Sequence, residues 1–275
     1  MSVHPVVLLG TRRFSVQWQW LDASRVQGIS SVAVTSGQEI IVACRQEPHI
    51  RIFDSHARLV NEFSIEGLRC PHHLSIDAND NLWITDLDGH RVFAVDMQGH
   101  IMHILGDDQQ PHWQAPFNHP THAILCDEGL WVSDGYGNAA VHYFDPSLVF
   151  QNSLGSPGQG VGQFSVPHML ASYSDCLYVV DRENHRVQVF NKRTQQFLFS
   201  FDRLYKPMSI AVYADTGLLV SDQTAALSLF SWDGALLGRC RVNAVYGHGL
   251  AAHIQGNIYI ATMLPDGLAC FTPLE

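Results

Sequence analysis

The sequence predicts an all-β fold, a six-bladed β-propeller. One short motif recurs six times along the chain, and each copy is followed by further β-rich runs. These runs are rich in Val, Ile, Leu, Tyr and Phe and are bounded by Gly, Asp, Asn and Pro, which is the pattern of strands. No window of the sequence holds a convincing helical period. Four strands in a repeat of 40 to 49 residues indicate propeller blades.

The strands follow one order in every repeat. The recurrent motif opens the first, inner strand and starts at residues 28, 71, 120, 167, 207 and 247. A polar turn then leads to a second strand, which reads EIIVACR, NLWITDL, GLWVSDG, CLYVVDR, GLLVSDQ and NIYIATM. A third strand follows another turn. In five of the six repeats a fourth apolar segment completes the blade, as HIMHILG does in the second.

The N-terminus supplies the strand that the last blade lacks. The sixth repeat ends at Glu275 after three strands, whereas FSVQWQWL at residues 14–21 alternates apolar and polar residues as a half-buried strand does. We therefore expect this segment to become the outer strand of blade six and to close the ring, which removes exposed sheet edges. Residues 1–275 are predicted to form a single propeller domain.

Charge and cysteine content limit the partners and the compartment. The formal net charge is −10, and both nucleic acid and anionic membranes need a basic surface, so neither is an expected partner. The N-terminus lacks the pattern of a signal peptide, and no apolar run reaches the ~20 residues of a membrane span. The six cysteines are widely spaced and fall in or beside apolar runs, which indicates buried free thiols. We expect a cytoplasmic protein.

One position of the aligned repeats carries histidine in alternate blades. The second residue of each motif is, in blade order, Ile29, His72, Thr121, His168, Met208 and His248. Alternate blades of a six-bladed ring lie about 120° apart and their inner strands line the axis, so three such side chains would converge. The alternative is that each is a turn or core residue, since the chain has 16 histidines.

Three converging imidazoles with one open position are typical of a catalytic zinc site. The sequence therefore predicts a metal centre on His72, His168 and His248. Another divalent transition metal is compatible with the same ligands, because three imidazoles also accept iron, manganese or nickel.

A second aligned position places cations near this centre. Directly after the second strand, arginine occurs in blades one and four, as Arg45 and Arg182. Two guanidinium groups could hold a carboxylate of a substrate. Tyr136 follows the equivalent position of blade three and, beside a metal and an arginine, could act as a base. The alternatives are surface salt bridges for the arginines, since Asp181 and Glu183 flank Arg182, and a turn role for the tyrosine.

These residues resemble a known family. WVSDGYGN, GQFSVPHML, YVVDRENHRVQVF and PHHLSIDANDNLWITD are similar to NHL-repeat propellers and, more narrowly, to the catalytic core of peptidyl-α-hydroxyglycine α-amidating lyases. The resemblance covers all six blades. It implies a six-bladed propeller with zinc on His72, His168 and His248, a catalytic Tyr136, and active-site Arg45 and Arg182. It also implies cleavage of a carbinolamide C–N bond to an amide and glyoxylate.

Two departures from the family pattern qualify this expectation. Where the family has Pro-His-Asp, this chain has YGHGL, with Gly249 in place of the aspartate, so the structural calcium of the family is doubtful here. Gly137 stands where a disulfide cysteine of the family is expected, which agrees with a cytoplasmic protein.

The sequence thus predicts a zinc-dependent lyase acting on a small-molecule or peptide-like α-hydroxyglycine substrate that carries a carboxylate. Two alternatives stay open. One is another metal-dependent lyase or hydrolase on the same scaffold, with Gly249 opening room for a different substrate. The other is a non-catalytic NHL module that binds other macromolecules.

Overall fold

The repeats fold into a six-bladed, all-β propeller, as the sequence predicts. The structure is a computed structural model and describes residues 4–107, 111–113, 116–213, 215–244 and 246–274. Each repeat forms one antiparallel sheet in which neighbouring strands follow each other in the chain. Two compact units share the blades: Phe63–Pro207 holds blades two to four, and Met1–Glu62 with Met208–Glu275 holds blades one, five and six. That residues 1–275 form a single domain remains a prediction from the sequence.

In the unit Phe63–Pro207, each inner strand begins at or next to the recurrent motif. The strands of blade two are β7 (Pro71–Ile76), β8 (Leu82–Asp86), β9 (Arg91–Val95) and β10 (Ile101–Gly106). Those of blade three are β11 (His122–Cys126), β12 (Gly129–Asp134), β13 (Ala140–Phe144) and β14 (Phe150–Leu154). Blade four follows the short parallel pair β15 (Ser156–Pro157) and β16 (Gln163–Phe164), and has β17 (Pro167–Tyr173), β18 (Cys176–Asp181), β19 (Arg186–Asn191) and β20 (Phe197–Phe201).

The other unit contains the chain ends. The strands of blade one are β3 (Ile29–Val34), β4 (Ile40–Cys44), β5 (Ile50–Phe53) and β6 (Leu59–Phe63). Those of blade five are β21 (Pro207–Tyr213), β22 (Gly217–Asp222), β23 (Ala226–Phe230) and β24 (Leu236–Arg241). Blade six has β25 (Tyr246–Ala252), β26 (Ile258–Met263) and β27 (Gly267–Leu274), with β1 (Val6–Leu9) and β2 (Arg12–Leu21) from the N-terminus.

The closing strand is confirmed. β2 pairs antiparallel with β27, and Val16 lies opposite Phe271 in this ladder. Phe14 and Val16 are fully buried in the apolar core of the unit, as their alternation in the sequence predicts. β1 adds a fifth strand beyond β2, which the sequence analysis did not predict.

A buried aspartate at the end of the second strand anchors the loop before each inner strand of blades two to four. Asp86 accepts the backbone N–H of Cys70 at 2.9 Å, Asp134 that of Asn118 at 2.9 Å, and Asp181 that of Ser165 at 2.7 Å. All three carboxylates are also bonded to a side chain of their own blade. This repeated bond fixes where each inner strand starts, and therefore fixes the depth of the residues that follow.

The six cysteines are free thiols, with Cys44 and Cys270 buried and the others partly buried. Burial raises the pKa of Cys44 and of Cys240 to about 11, so these thiols stay protonated at neutral pH. Within the described residues, no helix has the length and apolar character to cross a bilayer.

Candidate metal centre

His72 and His168 lie on β-bulges of the inner strands. Between Pro71 and Leu74, two residues of β7 lie opposite one residue of β8. Between Pro167 and Leu170, two residues of β17 likewise lie opposite one residue of β18. A bulge turns a side chain out of the alternating pattern of its strand, and bulges are frequent next to functional sites. Both histidines follow a proline, and both are fully buried.

The bulge in blade one corrects one detail of the repeat alignment. Ile29 lies opposite Cys44, as Pro71 lies opposite Asp86, so the blade-one residue equivalent to His72 is Ser30 instead of Ile29. The reason is a register shift between Ile29 and Ser31 that leaves Ser30 as the extra residue. Histidine still occupies this position in blades two, four and six only.

The imidazoles in the unit Phe63–Pro207 are close enough to share a metal ion. The ring centroids of His72 and His168 are 5.0 Å apart, and His73 lies 4.6 Å from His72 and 5.1 Å from His168. Each of the three offers a ring nitrogen, and these nitrogens lie within 4.8 Å of one another. All three side chains are buried. This cluster could hold a metal ion.

The protonation of His72 suits a metal ligand. Its Nδ1 lies 2.7 Å from the carbonyl oxygen of Thr121, which can only accept a hydrogen bond. Nδ1 therefore carries the proton, and Nε2 keeps its lone pair for a ligand. Thr85 donates its hydroxyl to the same carbonyl at 3.0 Å, so the oxygen that orients the ring is itself held in place.

The Tyr136 hydroxyl lies beside both histidines. Its oxygen is 3.3 Å from Nε2 of His72 and 3.2 Å from Nε2 of His168. The side chain comes from the turn after β12 and is 41% exposed, so the phenol is reachable from solvent while its oxygen faces buried rings. The sequence-based prediction that Tyr136 adjoins the histidines therefore agrees with the geometry.

Arg182 contacts the same hydroxyl. Its Nη1 donates to the Tyr136 oxygen at 2.9 Å, and its guanidinium lies 5.1 Å from the centroid of the tyrosine ring. Glu183 accepts Nε of Arg182 at 3.0 Å and pairs with Lys206 at 2.8 Å. The salt bridge that the sequence analysis weighed as an alternative is thus present, and it holds Arg182 against Tyr136. Burial opposes the charge of Glu183, but bonds to Lys206 and Arg182 outweigh it and lower the pKa of this carboxyl.

His248 and Arg45 belong to the other unit. His248 is buried on β25 at the bulge between Gly247 and Gly249, and its Nδ1 donates to the carbonyl oxygen of Ser30 at 2.7 Å. It therefore has the same tautomer as His72, with the ring proton on Nδ1. Arg45 is exposed in the turn after β4 and forms no ion pair with a described residue.

The sequence analysis missed His73 and His122. His73 lies next to His72 in the β7 bulge, and its ring meets those of His72, His122 and His168 edge-on. His122 is fully enclosed, accepts the N–H of Leu170 at 3.2 Å, and has its pKa lowered to about 3 by burial. The sequence feature that could have pointed to His73 is the pair of adjacent histidines in CPHHL. Strict strand alternation would put His73 on the face opposite His72, because alternation does not foresee a bulge.

Gly249 does not open space. An added Cβ would lie 2.7 Å from Cα of Ser31 and 2.9 Å from the backbone nitrogen of Val32. The expectation that Gly249 makes room for a different substrate is therefore wrong: the backbone of β3 fills the position. The close approach of β25 and β3 instead requires a residue without a side chain.

Comparisons with known proteins agree with the fold and with the resemblance. The chain is 41% identical over 166 residues to the peptidylglycine α-amidating monooxygenase of Rattus norvegicus, a match over 56% of this chain and 17% of that protein. It is 34% identical over 149 residues to a probable peptidyl-α-hydroxyglycine α-amidating lyase of Caenorhabditis elegans, covering 52% of this chain and 43% of the relative. NHL repeat-containing protein 3 of Mus musculus is 26% identical over 149 residues, covering 49% and 43%.

The chain thus spans less than half the length of these relatives. It matches no protein-family model. Among solved structures, virginiamycin B lyase of Staphylococcus aureus superposes with a TM-score of 0.70 at 13% identity, over 94% of this chain and 99% of that one, which shows a common fold. The chain is therefore a six-bladed β-propeller that is similar to NHL repeat-containing proteins and to peptidyl-α-hydroxyglycine α-amidating lyases.

Proposed function

We propose that the protein is a metal-dependent carbon–nitrogen lyase that splits an α-hydroxyglycine-like carbinolamide into an amide and glyoxylate. One observation carries the proposal: the Tyr136 hydroxyl lies within 3.3 Å of both His72 and His168 and accepts a hydrogen bond from Arg182. A phenol held between ligand nitrogens and a cation has the surroundings that a base for a substrate hydroxyl needs. The relatives named as amidating lyases support this reaction class.

The metal would be held by His72, His168 and His248. The three occupy equivalent bulge positions of alternate blades, and His72 and His248 share the Nδ1-to-carbonyl bond that puts the ring proton on Nδ1. Three neutral imidazoles are the ligand set of many catalytic zinc sites, although other divalent transition metals fit the same donors. A bound zinc ion would supply Lewis acidity toward the substrate oxygens. No residue of this set suits a structural calcium, which binds oxygen donors.

Tyr136 would take the proton of the substrate hydroxyl. The base would be the Tyr136 phenolate, which becomes a neutral phenol once it holds that proton. Arg182 would stabilise the phenolate, because its Nη1 already donates to the phenol oxygen. As the C–N bond breaks, its electron pair leaves with the amide nitrogen and the hydroxyl carbon becomes the aldehyde of glyoxylate. The nitrogen regains one proton, which Tyr136 can return, so the reaction needs no oxidant or reductant.

Arg45 would pair with the substrate carboxylate. It follows the second strand of blade one, as Arg182 follows that of blade four, and no described carboxylate neutralises it. A guanidinium binds a carboxylate through two parallel hydrogen bonds, so this contact would orient the substrate. The partner class is therefore a small or peptide-like molecule with a carboxylate. Nucleic acid and membrane are not proposed as partners, given the net charge of −10.

A cytoplasmic location is part of the proposal. All six cysteines are free thiols, and several of them lie in apolar surroundings. Free thiols persist in a reducing compartment.

A product assay tests the reaction. Protein purified with one equivalent of zinc is incubated with N-benzoyl-α-hydroxyglycine, and glyoxylate and benzamide are quantified. We expect equal amounts of both products and none above background with His168→Ala. Failure of the zinc-loaded wild-type protein to release glyoxylate would contradict the proposed function.

A further inference from the structure

Tyr136 also lines a groove of about 420 Å³ within the unit Phe63–Pro207. One wall is the turn that carries Gly135 and Tyr136, and the other is the loop from Pro157 to Val166 between blades three and four. Trp113 lies at the groove and is 68% exposed. The groove is separate from the histidine cluster and shares only Tyr136 with it.

The groove is uncharged in a chain that is otherwise acidic. Its 12 lining residues include no Asp, Glu, Lys, Arg or His, and aromatic and aliphatic side chains form much of the surface. Phe164 is fully buried among them. Two exposed aromatic side chains beside a concave neutral surface are typical of a site for an apolar ligand group.

The groove is also held rigid. Gly158 donates its N–H to the carbonyl of Phe164 at 3.0 Å, and Asn184 donates its side-chain amide to the carbonyl of Gly158 at 2.8 Å. Ser165 donates its N–H to the buried Asp181 at 2.7 Å, which ties the loop to β18. A preformed surface binds a ligand without the entropic cost of ordering a loop.

We propose that this groove binds the acyl group of the substrate and selects aromatic or large aliphatic acyl groups over small ones. This inference rests on the proposed function. The Tyr136 oxygen contacts the two histidines, while the residue as a whole lines the groove. Because Tyr136 takes part in both, a substrate whose hydroxyl meets the phenol oxygen can extend its acyl group into the groove, where Trp113 and Tyr136 offer aromatic faces.

Binding of unreactive N-acylglycines tests the subsite without needing turnover. Hippurate, which is N-benzoylglycine, and N-acetylglycine are each titrated into the metal-loaded protein by calorimetry. We expect hippurate to bind about tenfold more tightly, since a tenfold ratio is the effect of a modest apolar contact. Trp113→Ala should reduce this ratio to near one, and Trp113→Phe should keep most of it because it keeps an aromatic face.

Ile254→Ala is the matched control, since Ile254 is 82% exposed and lies in the other unit. It should leave the ratio unchanged. The subsite is overturned if the wild-type ratio is near one, if neither ligand binds, or if Trp113→Ala keeps the ratio. A ratio that depends on Trp113, in a protein that releases no glyoxylate from N-benzoyl-α-hydroxyglycine, would retain the subsite and reject the proposed reaction.

Discussion

Tyr136 is the residue on which the proposed chemistry depends most. Its hydroxyl meets the Nε2 atoms of His72 and His168 and the guanidinium of Arg182, so one oxygen connects two candidate ligands and a cation. The sequence placed these residues in adjacent blades, but it could not show that the hydroxyl faces the histidines. That orientation follows from the turn after β12, whose conformation is not encoded in strand periodicity.

Replacing Tyr136 by phenylalanine should remove the base and keep the metal. We expect the rate of glyoxylate release to fall by about 100-fold or more, the usual contribution of a general base. Zinc content should stay at the wild-type level, because the phenol is not one of the three proposed ligands. Steady-state kinetics measures the rate, and elemental analysis measures the zinc content. Full activity in Tyr136→Phe would contradict the role given to the phenol.

His122 should make stability depend on pH. Burial lowers its pKa in the folded protein to about 3, whereas an unfolded histidine has a pKa near 6.5. Between these values only the unfolded chain binds the proton, so the free energy of unfolding falls as pH decreases from 6.5 toward 3. The loss attributable to His122 between pH 7 and pH 4 is about 3 kcal/mol.

Urea unfolding of His122→Gln at pH 7 and pH 4, with chelator present, measures this contribution. Glutamine can still accept the N–H of Leu170 that His122 accepts, but it does not titrate. The variant should lose less stability than wild type on acidification, while His103→Gln, an exposed control, should follow wild type. Equal losses in His122→Gln and wild type would show that His122 does not stay neutral in the folded state.

At the scale of single elements, the inner-strand bulges decide how the site is built. Repeat alignment put His72, His168 and His248 at one repeat position, and each lies in the bulge of its inner strand. It misassigned the equivalent residue of blade one by one position and passed over His73. Both errors arise where two residues face one, which pattern matching treats as regular strand.

Gly249 tests the close packing of β25 and β3. Alanine at this position would bring its Cβ within 2.7 Å of the backbone of Ser31, so Gly249→Ala should destabilise the protein by about 1–3 kcal/mol, as overpacking does. Gly249→Asp should cost more, because it adds a buried charge. Gly37→Ala is the control, since its Cβ would meet only an ordinary contact at 3.8 Å.

Chemical denaturation of the three variants gives these free energies. A Gly249→Ala protein as stable as wild type would show that the strands can separate at no cost. In that case the glycine would not be required by packing, and its place in the YGHGL motif would need another explanation.

At the scale of the whole molecule, closure of blade six by the N-terminus is the feature that the sequence predicted most fully. The incomplete sixth repeat and the alternation in residues 14–21 both pointed to it, and β2 pairs with β27 as expected. β1 escaped prediction because VVLL has no alternation that distinguishes an outer strand from a loop.

Deleting residues 1–21 should therefore expose the edge of β27 and uncover the apolar core that Phe14 and Val16 fill. We expect aggregation and a melting temperature lower by about 10 °C or more, given the several kcal/mol that two buried side chains contribute. Deleting residues 1–4 leaves β1 and β2 whole and should leave melting unchanged. Light scattering measures the aggregation, and thermal unfolding measures the melting temperature. A protein without residues 1–21 that stays monomeric and melts like wild type would refute closure by β2.

Elemental analysis of the purified protein, wild type beside His72→Ala, tests the central claim most directly. We predict one transition-metal ion per chain, zinc when zinc is supplied, and its loss in His72→Ala but not in the exposed control His103→Ala. Wild-type protein that carries no transition metal after growth with zinc, or His72→Ala protein that keeps a full equivalent, would contradict the three-histidine centre.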